Sequence, residues 1–127
     1  MNKNIYLGDY QTELEIMKFP GGEFHPQLNF KEFQGYNSVN ITTRLNSGDD
    51  LLKLVTVTNA LRNIGIKNIS LRCMYFPGGQ QDRVANKGEA LTSKVYADLI
   101  NSQAYTRVVI ADNHSDVLPA LINNCEI

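Results

Sequence analysis

Residues 67–79 read Lys67-Asn68-Ile69-Ser70-Leu71-Arg72-Cys73-Met74-Tyr75-Phe76-Pro77-Gly78-Gly79. An apolar-rich run of strand length stops at a Pro-Gly-Gly break, the pattern of a buried strand feeding a loop. Downstream, Glu89 to Gln103 reads as a helix, with Leu91, Val95, Leu99 and the neighbouring Ala97 and Ile100 facing inward. Thr106-Arg107-Val108-Val109-Ile110-Ala111 is then a second β-branched, nearly continuous apolar strand, and another helix is expected from near Ser115. Upstream, Ser47 with Asp50 three residues later has the form of an N-cap with an acidic N3. Leu51, Leu54, Val55, Thr58, Leu61 and Ile64 form one stripe, and Gly65 supplies the C′ glycine that ends the helix. Buried strands followed by a loop and a helix are units of a parallel sheet with right-handed crossovers. The expected fold is therefore α/β: a doubly wound, mainly parallel sheet with flanking helices.

The first third of the chain has a different texture. Leu14-Glu15-Ile16-Met17, Phe24-His25-Pro26-Gln27-Leu28 and Ser38-Val39-Asn40-Ile41-Thr42-Thr43 are short strand-like stretches with partial alternation. Pro20-Gly21-Gly22 separates the first two and suits a tight connection. The repeated Phe-Pro-Gly-Gly, at Phe19–Gly22 and Phe76–Gly79, has unmatched surroundings and is no structural repeat.

With 127 residues, 43% of them hydrophobic and 20% charged, one domain with one core is the default. A net charge of -1 without a Lys/Arg cluster argues against nucleic acid as a partner. No apolar run approaches membrane-spanning length and the first residues lack the apolar core of a secretion signal, so a cytoplasmic location is expected. Cys73 and Cys125 have neither metal-site nor disulfide spacing and read as buried or incidental thiols.

In open parallel sheets ligands bind beyond the carboxyl ends of the strands, so the loops beginning at Pro77 and Asp112 should open on one edge and meet around one ligand. Pro77-Gly78-Gly79-Gln80-Gln81-Asp82-Arg83 offers two glycines for close backbone approach and amide, carboxylate and guanidinium groups beside them. That composition suits a nucleotide. It is neither a Walker A loop nor a dinucleotide fingerprint, and an ordinary polar connection has the same composition. Asp112-Asn113-His114-Ser115-Asp116 places an imidazole between two carboxylates at a strand end. It could hold a metal–phosphate complex or position His114 for proton transfer or charge stabilisation, or Asp112 or Ser115 could simply cap the next helix. His25 reads as a surface strand residue, and Glu23, after its glycine turn, as ambiguous.

Taken in order, several segments resemble the ribose-phosphate pyrophosphokinases (phosphoribosyl pyrophosphate synthetases). Phe19-Pro20-Gly21-Gly22-Glu23 is similar to that family's Phe-Ser-Asp-Gly-Glu turn, and Asp50-Leu51-Leu52 with Asn59-Ala60-Leu61-Arg62 to its Asn-Leu-Met-Glu-Leu and Asp-Ala-Leu-Arg helix. Tyr75-Phe76-Pro77 with Gln81-Asp82-Arg83, Leu91-Thr92-Ser93-Lys94-Val95 and Asp112-Asn113-His114 complete the set. The resemblance implies a phosphoribosyltransferase-like fold and an enzyme of nucleotide biosynthesis that transfers the diphosphoryl group of Mg-ATP to ribose 5-phosphate. It further implies ATP contacts from Gln81 with Gln80 and Asp82, and an approach of His114 to the Mg²⁺-bound phosphates. Phe19 and Glu23 would reach the adenine site of an adjacent subunit, hence a homo-oligomer.

Departures from the family pattern are Gln80 for an arginine, Gly21 for an acidic or amide residue, Ala85 near a usual acidic position, and Pro119-Ala120-Leu121-Ile122 for a Gln-Gly-Phe-Phe-like stretch. The family's ribose-phosphate, pyrophosphate and catalytic Lys/Arg loops are not among these residues. The resemblance thus implies that 1–127 is a single amino-terminal domain, the ATP side of a longer enzyme and inactive alone, without a complete catalytic set. The alternative is a non-catalytic regulatory partner of a full-length synthetase, which Gln80 would suit. A generic nucleotide- or phosphate-binding module is a third reading, carried by strand-end logic only.

Overall fold

The computed structural model describes residues 2–8, 14–74, 87–111 and 121–126. Strand β1 (Asn2–Tyr6) is followed by a hairpin of β2 (Leu14–Lys18) and β3 (Phe24–Leu28), then a short 3-10 turn (Phe30–Phe33) and β4 (Ser38–Thr43). Helix α1 (Gly48–Asn63), β5 (Asn68–Cys73), α2 (Thr92–Ser102), β6 (Arg107–Ile110) and β7 (Cys125–Glu126) complete the described elements. Five strands form one sheet in the order β1-β4-β5-β6-β7, each neighbouring pair parallel, while β2 and β3 make a separate antiparallel ribbon. The mainly parallel α/β architecture and the short strands ahead of it agree with the sequence.

Register explains the core. Ile5, Ile41, Leu71 and Val108 align across four strands, as do Val39 and Ile69 on one side of that row and Thr43, Cys73 and Ile110 on the other. All of these side chains are buried. They receive Leu51, Leu54, Val57, Thr58 and Leu61 of α1, with Ala97 and Ile100 of α2. The alternate residues make the other face of the sheet polar: Asn4, Asn40, Ser70 and Arg107 form one row, with Asn40 Nδ2 donating to Asn4 Oδ1 at 3.1 Å. Parallel sheets usually bury both faces, so their strands read as continuous apolar runs. Here β5 alternates instead, with Ile69, Leu71 and Cys73 inside and Ser70 and Arg72 turned away.

Local chemistry sets the ends of α1. Ser47 Oγ accepts from the Asp50 N–H at 3.3 Å, and the Asp50 carboxylate accepts from the Asn46 N–H at 2.9 Å, so two donors at the helix start are satisfied reciprocally. At the other end Ile66 N–H reaches Leu61 O at 3.1 Å and Gly65 N–H reaches Arg62 O at 3.0 Å. This is a Schellman closure with Gly65 at φ +99° in the left-handed region, where a Cβ is costly. Arg62 then crosses to α2 and donates from Nη2 to the carbonyls of Gln103 and Ala104. A cation thus sits at the carboxyl end of a neighbouring helix, on the carbonyls of its C-cap and of the residue after it.

Several sequence expectations need correction. On α2 the buried stripe is Ser93, Ala97 and Ile100, whereas Val95 and Leu99 face outward. Ala97 and Ile100 are inside as expected, so the apolar set read from spacing was too wide: it joined an exposed pair to the buried one. The helix begins at Thr92 rather than Glu89. Strand β1 and the two-residue β7 went unrecognised because Asn2-Lys3-Asn4 and Cys125-Glu126 carry almost no apolar pattern; their pairing comes from neighbours β4 and β6. The helix expected from Ser115 lies largely outside the described residues.

Candidate functional site

The carboxyl edge of the sheet is where the sequence placed chemistry, and three strand ends align there. Thr43 of β4 is in register with Cys73 of β5, which is in register with Ile110 of β6. Met74 N–H donates to Thr43 O at 2.8 Å and Ala111 N–H to Cys73 O at 2.9 Å, so the backbone immediately beyond each strand is still tied to its neighbour. The described chain therefore ends at Met74 after β5 and at Ala111 after β6, on adjacent strands at the same edge. Gln80, Gln81, Asp82 and His114 all lie outside the described residues.

A third connection at this edge was not singled out from sequence. After β4 the chain passes through Arg44, buried Leu45, Asn46 and the Ser47 cap into α1, with Arg44 Nε donating to Asn46 Oδ1 at 3.1 Å. The positive end of the α1 dipole lies at this edge and is met by the carboxylates of Asp49 and Asp50 in the first turn. The signal available was the short strand-to-helix passage Thr43-Arg44-Leu45-Asn46-Ser47.

Phe19 and Glu23 close the β2–β3 hairpin. Gly22 N–H donates to Phe19 O and Phe19 N–H to Glu23 O, both at 2.8 Å. Pro20 and Gly21 occupy the central positions of the turn, and Gly22 follows at φ +94°. This is a three-residue loop in which a turn is completed by a left-handed residue, hence the need for glycine at 22. Gly21 has a different reason: a Cβ there would collide with Glu23 Oε1, because the Glu23 side chain folds back over the turn. The hairpin rests on α1, and the Phe24 ring lies 5.5 Å from Lys18 Nζ and 5.2 Å from Lys53 Nζ, a cation–π arrangement on both counts.

A groove of about 470 Å³ between β3 and α1 is lined by His25, Pro26, Thr56, Asn59, Asn63 and Gln103 among others. Asn63 ends α1 and Gln103 follows the end of α2, so this groove opens toward the amino edge of the sheet, away from the strand ends. Among the described residues no group of three or more His, Cys, Asp or Glu side chains could hold a metal ion. The candidate ligand His114 is not one of those residues. Cys73 and Cys125 are free thiols. Burial, and secondarily the charge of Cys125, pushes the Cys73 thiol up to about 12, so it is neither a nucleophile nor a metal ligand near neutral pH. No described helix is long and apolar enough to cross a membrane.

The parallel sheet and the helices packed on its buried face form an α/β domain of phosphoribosyltransferase-like fold. In structural comparison the chain superposes on the phosphoribosylpyrophosphate synthetase from Mycobacterium smegmatis with a TM-score of 0.79, at 15% identity, covering 98% of this chain and 46% of that one. No family model matches. Sequence comparison finds the ribose-phosphate pyrophosphokinase of Aquifex aeolicus, 32% identical over 111 residues, which are 87% of this chain and 35% of the relative. A putative ribose-phosphate pyrophosphokinase of Listeria innocua is 28% identical over 120 residues, 93% of this chain and 38% of the relative. The chain spans about a third of the length of the curated relatives it matches. Over that span it is a ribose-phosphate pyrophosphokinase-type domain.

Proposed function

We propose that this chain supplies the ATP side of a ribose-phosphate diphosphokinase, in which the diphosphoryl group of Mg-ATP passes to ribose 5-phosphate. The observation that supports this reading is the alignment of Thr43, Cys73 and Ile110, which ends β5 and β6 side by side, the strands that precede Gln80–Asp82 and His114 in the sequence. In this reading Gln80, Gln81 and Asp82 contact ATP and His114 approaches the Mg²⁺-bound phosphates. Magnesium, held mainly by phosphate oxygens and water, requires few protein groups and would neutralise developing charge on the transferred group. Phe19 and Glu23 serve the adenine site of a second subunit, which makes the functional unit a homo-oligomer in the cytoplasm. The 127 residues form one amino-terminal domain, and turnover requires ribose-phosphate and pyrophosphate loops that are not among them.

Gln80 favours a second reading. Where the family resemblance calls for arginine, an amide carries no charge and lacks the planar fork that pairs with phosphate, a difference of about 1.5–3 kcal/mol per charged hydrogen bond. A chain that keeps the fold with weakened ATP contacts would suit a regulatory partner of a complete synthetase.

Calorimetric titration of Mg-ATP into the wild-type protein and the Gln81→Ala and His114→Ala variants separates the two. Saturable binding weakened by both changes, with no heat from ribose 5-phosphate, supports the ATP-side domain. Absence of binding at concentrations where the oligomer persists supports the regulatory partner.

A further inference from the structure

The outer face of the hairpin carries an arrangement that the proposed function leaves unexplained. Leu14, Ile16, Phe24, Pro26 and Leu28 alternate toward α1 and are half-buried, while Glu15, Met17, His25 and Gln27 are exposed. Across the turn the His25 imidazole stacks on the Phe19 ring, with centroids 5.1 Å apart and planes at 21°. Phe19 stays 42% exposed even so. An exposed phenylalanine at a hairpin tip has several staggered χ1 states open to it, and ordering it on binding costs side-chain entropy. The strand fixes the His25 backbone, which is paired with Met17 in the ladder, so the imidazole starts from a defined position beside Phe19.

We propose that His25 is a positioning residue whose imidazole holds the Phe19 ring at the hairpin tip, oriented to stack on a purine base. The inference rests on the reading of Phe19 as an adenine contact, and adds to it the group that sets the ring's orientation. His25 itself need not touch the nucleotide. Ring stacking requires only a flat π-surface, so phenylalanine at position 25 should do the same work and alanine should not.

Two measurements on the whole chain test this separately. In the ligand-free protein, Phe19 ring resonances should be displaced from free-peptide values, with ring-to-ring nuclear Overhauser contacts to His25. They should collapse toward free-peptide values in His25→Ala and remain displaced in His25→Phe, without a change in the melting temperature large enough to signal unfolding. Phe19 resonances indifferent to His25→Ala would overturn the proposal, whatever the protein binds. In Mg-ATP titrations, His25→Ala should weaken affinity about 2- to 10-fold, with His25→Phe restoring it. Loss of affinity in Phe19→Ala with none in His25→Ala also overturns the positioning role. Unchanged affinity in Phe19→Ala overturns the adenine-contact reading instead, and the ring resonances still decide whether His25 orients Phe19.

Discussion

The Tyr105 hydroxyl lies 2.7 Å from Thr58 Oγ1, and Thr58 Oγ1 in turn donates to Leu54 O at 2.9 Å. Since the single Thr58 hydroxyl proton is committed to Leu54, Tyr105 is the donor of the pair. A buried chain of two hydrogen bonds therefore joins the middle of α1 to the residues that lead into β6. Tyr105→Phe should cost about 0.5–1.5 kcal/mol, because Thr58 keeps its bond to the helix. Thr58→Val should cost more, about 1–3 kcal/mol, because it strands a buried phenol without an acceptor. Urea unfolding of the two single variants and the double variant closes the cycle, and the double should lose less than the sum. Strict additivity would mean that the two hydroxyls do not interact.

Stability should fall on the alkaline side for an identifiable reason. Burial raises the Tyr105 phenol above its ordinary value of 10.0 and raises the Cys73 thiol from 9.0 to about 12. Both groups are neutral when protonated, so the folded state retains protons that the unfolded chain releases. Their contribution is complete below the unfolded pKa values and is lost as pH rises through the folded ones, beginning near pH 9 for Cys73. Melting temperature measured from pH 7 to 11 should decline above about pH 9, and Cys73→Ala should flatten the first part of that decline relative to its own neutral-pH value. Equal slopes in the two proteins would assign the alkaline loss elsewhere.

Ser93 is fully buried in the first turn of α2, and its Oγ has no hydrogen-bond partner among the described residues. A buried hydroxyl without a partner costs about 1–3 kcal/mol. Ser93→Ala should accordingly stabilise the protein by about 1 kcal/mol, raising the melting temperature by roughly 4 °C, with the improved helix propensity of alanine acting in the same direction. Calorimetry checks it. A destabilised variant would show that the hydroxyl is hydrogen-bonded in the native protein.

The sequence was most legible where one local signal dictates one geometry. Ser47, Asp50 and Gly65 marked both ends of α1, and Pro20-Gly21-Gly22 marked the hairpin, because caps and turns are decided by a few adjacent residues. On α2 the sequence placed Ala97 and Ile100 inward correctly but added Val95 and Leu99; excluding those two required knowing which apolar residues meet the sheet, which is a tertiary fact. Strand β1 was invisible for a related reason, since only Ile5 is buried in it and its alternate asparagines belong to the polar face shared with Asn40. At the carboxyl edge, β5 and β6 end in register, and the two loops that strand-end logic set there lie outside the described residues. That logic did not anticipate the Arg44–Asn46 passage, whose importance comes from β4 being a central strand beside β5.

Two adjacent glycines in the hairpin should answer substitution in opposite ways. Gly22 is at φ +94°, so Gly22→Ala forces a side chain into left-handed backbone and should cost about 1–2 kcal/mol. Gly21 is not in that region, and its obstacle is only the flexible end of Glu23, whose Oε1 occupies the space of a Cβ. Gly21→Asp, which restores the acidic residue that the family pattern carries there, should leave stability within about 1 kcal/mol of wild type. It should, however, drive the Glu23 carboxylate off the turn, seen as loss of contacts between the Glu23 side chain and residue 21 in nuclear Overhauser spectra. Glycine at 21 would then be what lets Glu23 lie folded over the turn rather than extended. Equal destabilisation by both substitutions would show that the turn, and not the Glu23 side chain, sets the requirement at position 21.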